Sequence, residues 1–159
     1  MRIMETVYIE TTIVSYLVAN PSRDAILAAH QLLTKQWWQD QRSAYHCLVS
    51  DETLTEAARG DAEQARLRLE ALQSLPTLPI TPEVEHLANA ILQSGSLPAA
   101  ARSDAIHVAV ATLAGIDFLL TWNCRHLANP HLQKQLRALM AARGLTLPEI
   151  CTVIELGGE

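Results

Sequence analysis

The sequence predicts an α/β fold with a mostly parallel sheet and helices on both faces. Short apolar runs rich in β-formers alternate along the 159 residues with longer stretches of helical period, the pattern of strands joined by helical crossovers. The composition, 49% hydrophobic and 18% charged, is that of a chain able to bury a sizeable core. No internal repeat, low-complexity tract or linker interrupts it, so residues 1–159 read as a single domain.

Strand candidates are Thr6–Ile9, Tyr45–Val49, Thr77–Ile80, Asp117–Thr121 and Cys151–Leu156. Pro79 restricts the third to an edge or a strand margin, because proline cannot donate to the ladder. Between the first two strands, "PSRDAILAAHQLLTKQWWQDQR" is helical, with Ile26, Leu27, Ala29, Leu32, Leu33 and Trp37 along one face. "SDETLTEAARG" is a short helix, capped by Ser50, with Asp51 and Glu52 in its first turn and Gly60 at its end. "DAEQARLRLEALQSL" is amphipathic, with Ala65, Leu67, Leu69 and Leu72 inward. "TPEVEHLANAILQSG" starts on the Thr81 cap with Pro82 at the first helical position and stops at Gly95. "LPAAARSDAIHVAVATLAG" follows, with Pro98 as its expected start, and then "NPHLQKQLRALMAARG", ended by Gly144.

Composition also excludes some functions. No run approaches the roughly 18 apolar residues of a membrane-spanning helix, and the N-terminus lacks the parts of a secretory signal. Cys47, Cys124 and Cys151 lie far apart without CxxC spacing, which points to reduced thiols in a cytoplasm. A net charge of −5 argues against generic nucleic-acid binding, though not against a site where metal ions supply positive charge.

Three acids stand in apolar company. Glu10 follows the first strand and is succeeded by Thr11, Thr12 and Ser15. In an open α/β sheet the ligand crevice lies beyond the carboxyl ends of the strands, so Glu10 either faces that crevice or caps the next helix. Asp104 opens "DAIHVAVATLAG", a helix apolar on most sides and therefore buried. An acid there needs a partner, a metal or a capping role. His107 follows at i+3 on roughly the same face, where a histidine reads as a satisfied core group ahead of a ligand. Glu56 shares a helix face with Glu52 at i−4, the usual sign of a solvated face. Thr121 and Asn123 follow the fourth strand on the crevice side, whereas Asp117 lies at its opposite end and reads as structural. Neutral Asn123 can orient a water or a phosphate but anchors a metal poorly. Cys124, His126 and His131 match no standard zinc spacing.

Taken together, these segments resemble PIN-domain proteins, and among them the toxin ribonucleases of VapBC-type toxin–antitoxin pairs. The resemblance covers nearly the whole chain. "YIETTIVSYL" is similar to the family's first motif, with Glu10 where Asp is usual. "VSDETLTEAARGD" is similar to the second, matching Glu56. "ARSDAIHVAVATLAGIDFLLTWN" resembles the third and fourth together, with Asp104 as the third acid and Thr121-x-Asn123 where Thr-x-Asp is common.

The resemblance implies a PIN-like three-layer α/β/α sandwich with a mostly parallel sheet of about five strands. It also implies a metal-dependent ribonuclease. Three converging carboxylates would raise each other's pKa values, a conflict that a divalent cation removes, and oxygen-only ligands point to Mg²⁺ or Mn²⁺. Glu10, Asp104 and Glu56 would be the metal ligands, with Asn123 completing the catalytic set. Thr11, Thr121, Arg125 and His126 would orient water or phosphate. RNA would be the substrate, and an antitoxin protein and a second copy of the chain would be partners. Trp37 and Trp38 would pack in the core or a homodimer contact, or else dock the antitoxin. The rival readings are a catalytically degenerate binding module and an α/β phosphatase or nucleotide hydrolase. The second lacks a GxxxxGK[ST] loop and an Asp-x-Asp after a strand.

Overall fold

The computed structural model describes residues 3–157. In chain order the elements are β1 (Thr6–Ile9), α1 (Thr11–Val18), α2 (Ala25–Asp40), β2 (His46–Ser50), α3 (Asp51–Ala57), α4 (Ala62–Leu72), β3 (Thr77–Leu78), α5 (Pro82–Gln93), α6 (Arg102–Leu113), β4 (Phe118–Leu120), α7 (Pro130–Ala141) and β5 (Glu149–Cys151). A short 3₁₀ turn, Arg42–Ala44, precedes β2. The strands form one sheet in the order β3-β2-β1-β4-β5, and every pairing is parallel.

Side chains alternate across this sheet as a period of two requires. Tyr8 and Leu119 enter one core with Leu87 and Ile91 of α5, Ile106 and Val108 of α6, Leu136 and Met140 of α7 and Ile150 of β5. Val7, Ile9 and Leu120 enter the other with Ile13 and Val14 of α1, Trp37 of α2, Val49 of β2 and Leu72 of α4. The result is a three-layer α/β/α sandwich. Because all strands run the same way, the residues after Ile9, Ser50, Leu120 and Cys151 gather at one edge of the sheet.

The local signals explain most elements. Ser50 and Thr53 form a reciprocal capping box on α3. Thr81 caps α5, which carries Pro82 in its first turn, and Gly95 turns the chain away at φ +78°. Pro79 follows a two-residue β3 at the sheet edge.

Four expectations are corrected. The last strand is Glu149–Cys151 and not Cys151–Leu156. Thr152 ends it, since its N–H and hydroxyl both donate to Glu155 Oε2 while its Oγ1 accepts from Ile154 N–H, which closes a turn. Two helices, not one, separate β1 and β2, with α1 starting directly after Glu10. The inward face of α2 is Gln31, Thr34 and Trp37, and Ile26, Leu32 and Leu33 are exposed. Gln31 turns inward because its amide ties down the preceding loop at Ser22 N–H and Asn20 C=O. Finally, α6 begins at Arg102, because Pro98–Ala101 close a separate turn through Ala101 N–H to Pro98 C=O.

Trp37 is buried in the core and stacks on Tyr45, while Trp38 lies beneath the Arg42 guanidinium. At the amino-terminal end of the sheet, Asp117 Oδ2 accepts from Thr6 N–H at 2.8 Å and Thr6 Oγ1 at 3.0 Å. This acid staples β1 to β4. Asp117→Ala should lower stability by about 1 kcal/mol in urea unfolding.

Candidate active site

Glu10 is the N-cap of α1 and only 4% exposed. Its Oε1 accepts from Thr12 Oγ1 at 2.5 Å, Thr12 N–H at 3.2 Å and Thr121 Oγ1 at 2.7 Å. Among the described residues no donor reaches Oε2. Burial raises the pKa of Glu10 above its ordinary value of 4.5, against the opposing pull of His107 and the threonines. Of the two sequence options the structure shows the capping role, with the side chain buried after the carboxyl end of β1.

Glu56 comes from α3 on the neighbouring strand's connection. Its Oε1 accepts from Thr11 Oγ1 at 2.7 Å and pairs with His107 Nε2 at 2.5 Å, again leaving Oε2 without a donor among the described residues. Burial works to raise its pKa, but His107, Thr11 and Arg59 outweigh burial and hold it below 4.5. His107 is fully buried on α6, and its Nδ1 meets the Tyr8 hydroxyl at 2.5 Å. Tyr8 in turn meets Ser50 Oγ at 2.7 Å and Thr53 Oγ1 at 3.2 Å. Burial works to lower the pKa of His107, yet Tyr8 and the carboxylates of Glu56 and Glu10 push it well above 6.5. Both ring nitrogens are thereby engaged, Nε2 with Glu56 and Nδ1 with Tyr8.

One donor atom from each of Glu10, Glu56 and His107 lies within 4.8 Å of the others. Ligands about 2.1 Å from one small dication stand roughly 3 to 4 Å apart, so the cluster is near coordinating size. Two carboxylates and one histidine each bring a donor atom to this distance in a largely buried setting. The donor set therefore fits a divalent cation.

Asp104 is not a member of this cluster. It sits in the first turn of α6 without capping it. Its carboxylate accepts from Asn123 Nδ2 at 3.3 Å and meets His126 Nδ1 at 3.2 Å. Asn123 Oδ1 also accepts from His126 N–H, which fixes the turn that carries exposed Arg125. The two groups are neighbours through the chain. Asp104 and His107 are one helical turn apart, and Thr121 and Asn123 are two residues apart. Thr11 and Thr121 direct their hydroxyls to Glu56 and Glu10, so their contacts are with the carboxylates. Glu52 accepts from Ser103 Oγ at 2.5 Å, which joins α3 to α6. Arg102 is drawn away to Asn89. Sequence reasoning passed over Tyr8 and ranked His107 as core. The available signal was a histidine on a helix buried all round, which required a polar partner from elsewhere.

The pKa directions give opposite signs for the two glutamates. Glu10, with a raised pKa, contributes stability below about 4.5 that is lost as pH rises through its folded value. Glu56, with a lowered pKa, contributes stability above 4.5 that is lost as pH falls through its folded value. The raised pKa of His107 adds stability present below 6.5 and lost as pH rises through its folded value. In chelator at pH 8, Glu10→Gln should therefore raise the melting temperature by a few degrees. Glu56→Gln should lower stability by roughly 2 kcal/mol, less than for a fully buried pair because Glu56 is partly exposed. Thermal and urea unfolding of both variants from pH 4 to 8 check the two signs.

No protein-family model matches the chain, and no curated protein matches it. Solved structures do. VapC20 of Mycobacterium tuberculosis, a Sarcin-Ricin loop cleaving toxin, superposes with a TM-score of 0.56 at 18% identity, covering 71% of this chain and 86% of that one. VapBC2 from Rickettsia felis, solved bound to a DNA fragment from their promoter, gives 0.53 at 12% identity over 92% of this chain and 98% of that one. At such identities the likeness is one of architecture, and in architecture the chain has a VapC-like PIN fold.

Proposed function

We propose that the chain is a metal-dependent endoribonuclease, the toxin of a toxin–antitoxin pair, that hydrolyses RNA phosphodiester bonds at the Glu10–Glu56 cluster. One observation carries the reading. Two carboxylates held by rigid elements come within 4.8 Å of each other, together with His107, at the carboxyl edge of a VapC-like PIN fold. RNA as substrate follows from the kind of toxin that VapC20 is, and an antitoxin partner from the VapBC2 pair.

Glu10 and Glu56 would hold Mg²⁺ or Mn²⁺ through their free oxygens. When bound, the ion supplies charge neutralisation, polarisation of the scissile phosphate and a water of lowered pKa. Thr12 and Thr121 keep Glu10 in place, and Thr11 does the same for Glu56. Glu56 stays ionised at neutral pH because its pKa is lowered, so its carboxylate can complete the shell of the ion. Asp104 takes part from the adjacent group, with Asn123 and His126 orienting water or phosphate. Exposed Arg125 and Arg59 add local positive charge to a chain whose formal net charge is −5.

Exposed Leu33 on α2 and exposed Ile154 line one surface cavity with Trp37 and Val153, which supports a protein partner, whether an antitoxin or the second copy of a homodimer. Among the described residues no helix is long and apolar enough to cross a membrane, and the proposed place of action is the cytoplasm.

The test is RNA cleavage by wild type, Asp104→Ala and Glu10→Gln, each in Mg²⁺, Mn²⁺ or chelator. Cleavage should require metal, fall about 10- to 100-fold in Asp104→Ala, and fall further in Glu10→Gln. Cleavage that persists in chelator, or is equal in all three proteins, would contradict the proposal. Absence of cleavage across varied RNA pools would favour a degenerate binding module.

A further inference from the structure

Trp122 stands in the turn between the two groups of the site, after Thr121, which holds Glu10, and before Asn123, which holds Asp104. We propose that Tyr16 and His30, stacked on this indole, form a platform on which an unpaired base of the RNA stacks next to the carboxylates. The inference rests on the ribonuclease reading above and names the part of the substrate that the protein holds there.

Two helices build the platform in the same way, each with a hydroxyl and a ring one helical turn apart. From α1, Thr12 Oγ1 accepts from the Trp122 backbone N–H at 2.8 Å, and the Tyr16 ring lies nearly parallel to the indole, at 14° and 5.8 Å between centroids. From α2, Thr34 Oγ1 accepts from the indole N–H at 2.7 Å, and the His30 ring lies nearly parallel at 13° and 4.1 Å. The tryptophan is thus pinned at its backbone and at its ring, and an exposure of 7% leaves it no face for a base. Tyr16 and His30 are only half-buried, so the stack reaches solvent through them. The Thr12 hydroxyl also donates to Glu10, which ties the platform to the first carboxylate. Burial foremost, then negative charge at Cys124 and Glu10, raises the Tyr16 pKa above 10.0, so the phenol lies within electrostatic reach of the site. A chain of net charge −5 attracts a phosphate backbone weakly. Stacking on aromatic rings needs no net charge and accepts any base. It takes unpaired bases, because a duplex keeps its own bases stacked on each other.

Photocrosslinking of the wild-type protein to random-sequence single-stranded RNA carrying iodouridine tests the platform, run in parallel in chelator and in Mg²⁺ with the attached residues read by mass spectrometry. Crosslinks should fall on Tyr16 or His30, and fully paired duplexes carrying the same label should lose most of them. In binding to the same RNA, read by fluorescence anisotropy, Tyr16→Leu and His30→Leu should each weaken affinity about tenfold. Tyr16→Phe keeps the ring and should stay within about twofold of wild type, an outcome that still decides the matter if a leucine variant fails to fold. Crosslinks elsewhere, in a protein that cleaves RNA, would overturn the platform, leave the ribonuclease reading standing and assign the stack to packing or to a partner protein. A tenfold loss in Tyr16→Phe would overturn stacking in favour of a contact through the hydroxyl. Neither binding nor cleavage of RNA by wild type would overturn both this inference and the ribonuclease reading.

Discussion

Glu10 carries a carboxylate to the end of the central strand, where only 4% of its surface meets solvent. An isolated charge in that place would be expensive, and the neighbouring chain is arranged around the problem. Thr12 and Thr121 donate to one oxygen, and the charge of His107 draws on the other side of the balance. Glu56 then joins His107, and Tyr8 closes the chain of hydrogen bonds back to the first strand. Burial still wins at Glu10, whose pKa stays raised. That residual conflict is what a cation would relieve, so the same feature that weakens the empty fold equips it to bind.

The parallel sheet makes this convergence possible. Glu10 follows β1, Ser50 ends β2 and Thr121 follows β4, so three adjacent strands deliver their next residues to one edge. Helix α6 then crosses that edge with Asp104 and His107 one turn apart, which divides the crevice into two linked groups. One is carboxylate-rich and buried. The other, with Asp104, Asn123 and His126, is more open.

Glu10 was legible in the sequence because an acid directly after a β-branched run is anomalous on its own. Glu56 was not, because Glu52 one turn away imitates a solvated face, and the resemblance to PIN proteins singled it out instead. The contacts that bury it come from Thr11 and from His107, 45 and 51 residues away. His107 read as a satisfied core group, and the structure buries it fully, but its Tyr8 partner, 99 residues distant, was hidden from the sequence. Local periodicity cannot reveal such pairs. It also misled at α2, where Ile26, Leu32 and Leu33 satisfy the helical period but remain exposed, while Gln31 and Thr34 turn inward. Thr34 does so because it accepts from the buried Trp122 indole N–H at 2.7 Å. The alternation of strands and helices and the capped helix starts followed from signals that act over a few residues, and those were readable.

The central claim is that a cation belongs between Glu10 and Glu56. Anomalous diffraction from crystals soaked in Mn²⁺ tests it most directly. The account predicts one strong manganese peak about 2.2 Å from a carboxylate oxygen of each glutamate. A peak beside Asp104 alone, or none at a Mn²⁺ concentration that supports RNA cleavage, would contradict it.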